Sequence, residues 1–250
     1  MGQLRTVGSL LLVGLLVAAP AFAGRSVTPV EIGNTPQYTI NLATGTVTKG
    51  ITADCRLGNP NDPAYYINGW LMGDESYEFL YHPQQTDACA CPYGSVITNV
   101  HIFLYYPPGA ETCPPLTISG GMADTFWEPT LQCWVPGDEL CRTIDYSLTV
   151  PNPGLYDVWM PLACSCAVMD AWYMITIHFG TLWCPVMPAI VTDAGPIRPC
   201  TNWNNWGQGW QDLQNYGWGY NLAFYADATC CSDPVSTEPQ TWGSVKSLYR

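Results

Sequence analysis

Twelve cysteines constrain this chain more than any other feature of its sequence: Cys55, Cys89, Cys91, Cys113, Cys133, Cys141, Cys164, Cys166, Cys184, Cys200, Cys230 and Cys231. All of them follow an N-terminal leader. An even set of cysteines in an exported chain is read as disulfides, because an oxidising compartment does not keep thiols reduced. Zinc is the competing chemistry, since Cys89-Ala90-Cys91 and Cys164-Ser165-Cys166 look like paired ligands. Structural zinc sites place roughly two to four residues between such ligands, so bridges are expected instead. Adjacent Cys230 and Cys231 could join each other only through a strained ring, so each is expected to find a different partner. In an extended C-x-C segment both sulfurs leave the same face, which would let them reach a neighbouring strand or loop side by side.

The leader is residues 1–23, MGQLRTVGSLLLVGLLVAAPAFA, with Arg5, an apolar run from Leu10 to Ala19, and Ala21-Phe22-Ala23 before Gly24. A cationic start, a short apolar middle and an A-x-A end describe a signal peptide cleaved after Ala23. The apolar run is too short for the roughly 20 residues that cross a bilayer. A secreted protein, extracellular or at the cell surface and without a membrane span, is therefore expected, with the export machinery as its first partner. Charge narrows the other partners. Lys and Arg number 8 against 20 Asp and Glu, and Arg5 belongs to the leader. Such a surface repels phosphate backbones, which argues against nucleic acid and leaves cations as tolerable company.

Period-two patterns dominate the rest. In GSVITNVHIFLYY, residues 94–106, Val96, Val100, Ile102 and Leu104 can share one face while Asn99 and His101 look the other way. TIDYSLTV (143–150), LYDVWMP (155–161), AWYMITIHF (171–179) and NLAFYADA (221–228) are rich in β-branched and aromatic residues and bounded by Pro, Gly or Asn. No stretch of comparable length keeps a helical period. With 22 Pro and 23 Gly as punctuation, the expectation is an all-β fold: a disulfide-rich β-sandwich, with the jelly roll as one form of it. Residues 24–232 make one domain, and 233–250 a flexible spacer and tail. The last ten residues, TWGSVKSLYR, place Trp242, Val245, Leu248 and Tyr249 at a helical spacing beside Lys246 and Arg250, which suits a sorting or docking element.

That ending, Trp-Gly, an aliphatic, Lys, then an aliphatic-aromatic-Arg close, resembles the terminal signature of uncharacterised exported bacterial proteins. The C-x-C pairs, the YMITIHF strand and the WGQGWQDL segment before a last strand ending in Cys are similar to Cys-rich β-sandwich domains in such proteins. The resemblance covers about the last two-thirds of the chain. It implies a fold and an export route and carries no catalytic motif.

Candidate sites start in TNWNNWGQGWQDLQNYGWGYN, residues 201–221, which packs Trp203, Trp206, Trp210 and Trp218 among amides. Aromatic faces stack on the C–H faces of sugars while amides and carboxylates bond to hydroxyls. Trp203, Trp206 and Trp210, with Asn204, Asn205 and Asp212, are therefore the candidate ligand-binding residues. Trp203 and Trp206 are expected to be the most exposed, and at least two of the four rings to be buried. For catalysis the weak candidates are Asp124 and Glu128, which flank Trp127 and would have to face each other across a sugar cleft. With only His82, His101 and His178 available and no nucleophile-elbow, zinc-protease or P-loop motif, other hydrolytic chemistry has little to build on. No cofactor motif is present; calcium is the one ion considered, with Asn59, Asn61 and Asp62 as weak oxygen-ligand candidates in a Pro-rich turn. The leading expectation is a non-catalytic secreted domain that binds an extracellular polysaccharide or surface protein. A structural or protein-binding subunit of an extracellular layer is the first alternative and a glycoside hydrolase the second.

Overall fold

The computed structural model describes residues 25, 27–49, 56–59, 61–82, 91, 93–162, 164–167 and 171–231. The expected leader (1–23), the tail (233–250), Cys55 and Cys89 lie outside the described residues. The described residues form two sheets, of ten and seven strands. The larger comprises β1 (Pro29–Glu31), β2 (Gln37–Asn41), β3 (Thr46–Lys49), β4 (Arg56–Gly58), β5 (Tyr65–Ile67), β7 (Ser95–Tyr106), β11 (Gly154–Pro161), β13 (Ala189–Pro196), β16 (Tyr220–Leu222) and β17 (Phe224–Cys230). The smaller comprises β6 (Gly73–Tyr81), β8 (Leu116–Glu128), β9 (Cys133–Arg142), β10 (Tyr146–Leu148), β12 (Tyr173–Thr181), β14 (Asn202–Asn205) and β15 (Gln211–Asp212). The fold is all-β, a disulfide-rich sandwich. Its strand order is branched rather than a plain jelly roll, and β11 pairs β2 in parallel. Among the described residues no helix is long and apolar enough to cross a membrane.

The core lies between the sheets and follows from alternation along each strand. Val100, Ile102 and Leu104 of β7, with Tyr156 and Val158 of β11, meet Tyr77 and Phe79 of β6 and Ile175 and Ile177 of β12. One expectation shifts: Ile97, not Val96, joins this core. A bulge at Thr98 causes it, since Asp227 of β17 pairs with Asn99 and Ala228 with Ile97, which reverses the facing of every earlier residue. Gly120 of β8 sits where the sheets approach closely, because a Cβ there would meet Met160 and Val100 at 3.0 Å.

Among the described residues five bridges are formed: Cys91–Cys230, Cys113–Cys184, Cys133–Cys200, Cys141–Cys164 and Cys166–Cys231. Adjacent Cys230 and Cys231 take different partners, as their spacing requires. Cys164 and Cys166 do not reach one neighbour side by side. Cys164 is bound to β9 of the smaller sheet and Cys166 to the end of β17 of the larger one. No strand spans residues 164–166, so alternation does not fix their directions, and this segment ties the two sheets together.

Candidate functional site

The Trp-rich segment divides between two environments, and neither is an open platform. Asn202–Asn205 forms β14, paired to β6 with Trp203 opposite Glu78. That register turns Trp203 onto the outer face of the smaller sheet, against Leu80, Met174, Ala123, Cys133 and Val135. Only 3% of Trp203 is exposed, and its Nε1 donates to the Cys200 carbonyl at 3.0 Å. The expectation that Trp203 is among the most exposed rings is therefore corrected: a ring on a strand covered by a disulfide-tied hairpin becomes floor. Trp218 is buried as well, so two of the four rings are core.

Asn204 is also buried, donating to Glu75 and to the Ser76 carbonyl. Half-buried Trp206 packs edge-on against Trp70 and Tyr216, with the Arg25 guanidinium 4.9 Å from its ring centre. Arg25 reaches buried Glu75 at 2.8 Å, so this aromatic slot is filled by the chain's own cation. Asn205 accepts from the Gly207 N–H, and Asp212 from the Gln214 and Cys200 N–H groups. These two shape turns. Half-buried Trp210 packs on the Trp203 cluster.

On top of that cluster lies an open cleft of about 440 Å³. Its floor is Leu80 with the Cys133–Cys200 bridge, and its walls include Trp127, Trp134 and Trp172. Trp127 of β8 and Trp134 of β9 are directly opposite in the hairpin, their rings edge-on at 5.6 Å. Trp134 stacks with Trp172 at 6.4 Å, and Trp172 meets His82 edge-on at 5.0 Å. Trp127 is 45% exposed, and Trp134 and Trp172 are half-buried. Gln132, Arg198 and Thr201 supply polar groups.

The backbone around the cleft is unusual. Among the described residues only Asp74, Gln132 and Cys200 are non-glycine residues with positive φ, a region costly for a side chain with a Cβ. Two of the three, Gln132 at φ 55 and Cys200 at φ 60, line the cleft. Strain of this kind persists where the surroundings over-determine the geometry, as at binding sites. Here the Cys133–Cys200 bridge and the Gln132 side chain, donating to the Pro129 carbonyl at 2.7 Å, supply that restraint.

The other candidates separate. Asp124 and Glu128 both lie on β8, where four residues of strand span about 13 Å, beyond the roughly 5 to 9.5 Å of a glycosidase pair. Asp124 accepts from the Asp138 N–H and its carboxyl is raised by partial burial; Glu128 accepts from the Thr130 N–H. A different carboxyl is the more perturbed. Glu78 is buried beneath the outer face with Oε2 lacking a hydrogen bond, and burial, then the charges of Glu139 and Asp124, push its titration well up. Asn59 and Asn61 turn N–H groups, not oxygens, toward buried Asp193. Its Oδ2 accepts from Nδ2 of Asn59 at 3.2 Å, Asn61 at 2.7 Å and Asn221 at 3.2 Å. A carboxylate met by three amide donors needs no cation, and Asp62 projects into solvent 3.9 Å from Arg56. No set of three or more His, Cys, Asp or Glu converges as metal ligands among the described residues.

The sequence reading missed Trp134, Trp172 and Arg198. The pair Trp127 and Trp134, flanking a Pro-containing turn, carried a usable hairpin signal. Trp172 and Arg198 reach the cleft only through sheet pairing and the Cys133–Cys200 bridge. No curated protein and no solved structure matches this chain. A family does match residues 55–228, well over half of the sequence, and the chain accordingly belongs to Domain of unknown function (DUF7451).

Proposed function

We propose that this protein is a secreted, non-catalytic domain that binds carbohydrate through the cleft walled by Trp127, Trp134 and Trp172. The observation that carries the reading is three tryptophans framing one open cleft on a strained, disulfide-locked backbone. Indole faces offer apolar stacking area to the C–H side of a pyranose, and Gln132 and Thr201 offer hydrogen bonds to its hydroxyls. The Cys133–Cys200 bridge in the cleft holds the hairpin that carries Trp127 and Trp134 before the ligand arrives, which lowers the cost of binding.

The test is retention of the oxidised protein on a panel of glycans and insoluble polysaccharides, beside Trp127→Ala and Trp172→Ala. Saturable binding that weakens at least about tenfold in either variant, with unfolding midpoints near the parent's, is expected. Binding unchanged in both would contradict the reading. A second reading, adhesion to a protein within an extracellular layer, is favoured by Trp183, which is 87% exposed beside the Cys113–Cys184 bridge. Loss of surface attachment in Trp183→Ala, with Trp127→Ala unaffected, would move the site there.

A further inference from the structure

We infer that the cleft selects anionic sugars, with Arg198 as the residue that reads their oxyanion; this rests on the carbohydrate-binding reading above. The chain carries 20 Asp and Glu against 8 Lys and Arg, yet among the described residues none that lines the cleft is an Asp or Glu. Arg198 lines it, and it is exposed.

Arg198 also differs from the other described arginines. Arg25 pairs with Glu75 at 2.8 Å, Arg142 with Asp145 at 2.9 Å, and Arg56 approaches Asp62 at 3.9 Å. Arg198 has no carboxylate within ion-pair distance among the described residues, and its guanidinium lies 5.4 Å from the Phe79 ring centre. In so acidic a protein, a cation with no ion-pair partner among the described residues, beside a cleft that none of their carboxylates lines, is available to a ligand's charge.

Its support is rigid. The Arg198 backbone N–H donates to Asn221 Oδ1 at 2.9 Å, and Asn221 is itself fixed to buried Asp193 through its N–H and its amide. Two residues on, Cys200 is bridged to Cys133 in the cleft floor. The backbone that carries Arg198 is thus held on both sides, and a guanidinium is a planar fork of donors that fits a carboxylate or sulfate bidentately, which an ammonium does not reproduce. The rings then take the apolar face of the sugar and Arg198 its acidic substituent.

The experiment measures binding of the oxidised protein to polygalacturonate and dextran sulfate, each beside its neutral counterpart, methyl-esterified polygalacturonate and dextran, at 150 mM NaCl. The variants are Arg198→Gln, Arg198→Lys and Trp127→Ala. Expected is preference for at least one anionic polymer, a loss of about tenfold or more in Arg198→Gln, partial retention in Arg198→Lys, and loss in Trp127→Ala. Polygalacturonate alone would identify a carboxylate and dextran sulfate alone a sulfate. Equal binding of anionic and neutral polymers, dependent on Trp127 and indifferent to Arg198→Gln, would overturn the anion selectivity and leave carbohydrate binding standing. Anion binding indifferent to Trp127→Ala would overturn it as mere ion exchange. Binding to none of these polymers or the wider glycan panel would remove the carbohydrate reading itself.

Discussion

Trp203 and Trp127 illustrate how position within a strand decides whether an indole packs or recognises. Trp203 faces a covered surface and donates its N–H to a backbone carbonyl, whereas Trp127 sits on a hairpin wall with 45% of its surface free. Trp203→Ala should cost about 3–5 kcal/mol, the range for truncating a buried large aromatic. Trp127→Ala should cost no more than about 0.5 kcal/mol. Urea unfolding of both variants measures the difference, and equal costs would show that Trp127 is structural. His101 makes the stability of the fold depend on pH. It is fully buried, with Nδ1 3.2 Å from Asp157 and Nε2 3.0 Å from Asp227, and it stacks on Tyr225. Burial works against its charged form, but hydrogen bonds to Asp157 and Asp227, and their charges, outweigh that and raise its titration above the ordinary value. The imidazolium therefore contributes its full stability below about pH 6.5, its unfolded value, and loses it as pH rises through the higher folded value. His101→Gln should be weaker by about 3–5 kcal/mol at pH 6, the range for breaking a buried ion pair. The deficit should shrink on the alkaline side. A deficit that does not change with pH would contradict the charge assignment.

At the scale of elements, the β8–β9 hairpin builds the cleft. It supplies Trp127 and Trp134 across one rung, carries Gln132 at its tip, and is tied by Cys133 to Cys200. Replacing both of these cysteines by Ser should cost about 2–4 kcal/mol. It should also weaken glycan binding more than the same change at Cys91 and Cys230, because only the first pair fixes the cleft floor. Equal binding by both double variants would show that the bridge does not position the rings. The strands richest in β-branched and aromatic residues, β7, β11 and β12, were legible in the sequence, since both faces of each are largely buried. β8 and β9, the site's own hairpin, were not. Gly120 and Gly121 interrupt β8, and strand patterns avoid glycine. Both are there for space: a Cβ at Gly120 would press on Met160 and Val100, and one at Gly121 would run into the Cys141 carbonyl. The candidate site was legible only as a chemistry of tryptophans and amides. Which tryptophans face solvent depends on β14 joining β6 and on disulfide connectivity, and a single sequence encodes neither locally.

At the scale of the whole molecule, two sheets, five bridges and an acidic surface leave one cleft where aromatic rings and an unpaired arginine coincide among the described residues. The other tryptophan group, around Trp206 and Trp70, is already occupied by Arg25, which separates a packed aromatic slot from an available one. Asn59, Asn61 and Asn221 gather around Asp193 and fix the backbone beneath Arg198, so amides that looked like calcium ligands instead hold the cleft's rim. The most direct measurement is a crystal structure of the oxidised protein with an oligosaccharide cut from the polymer it retains. The expected result is a sugar ring stacked against Trp127 or Trp172 with its acidic group on Arg198. A sugar seated at Trp206 or Trp183, with the cleft holding only solvent, would contradict the assignment.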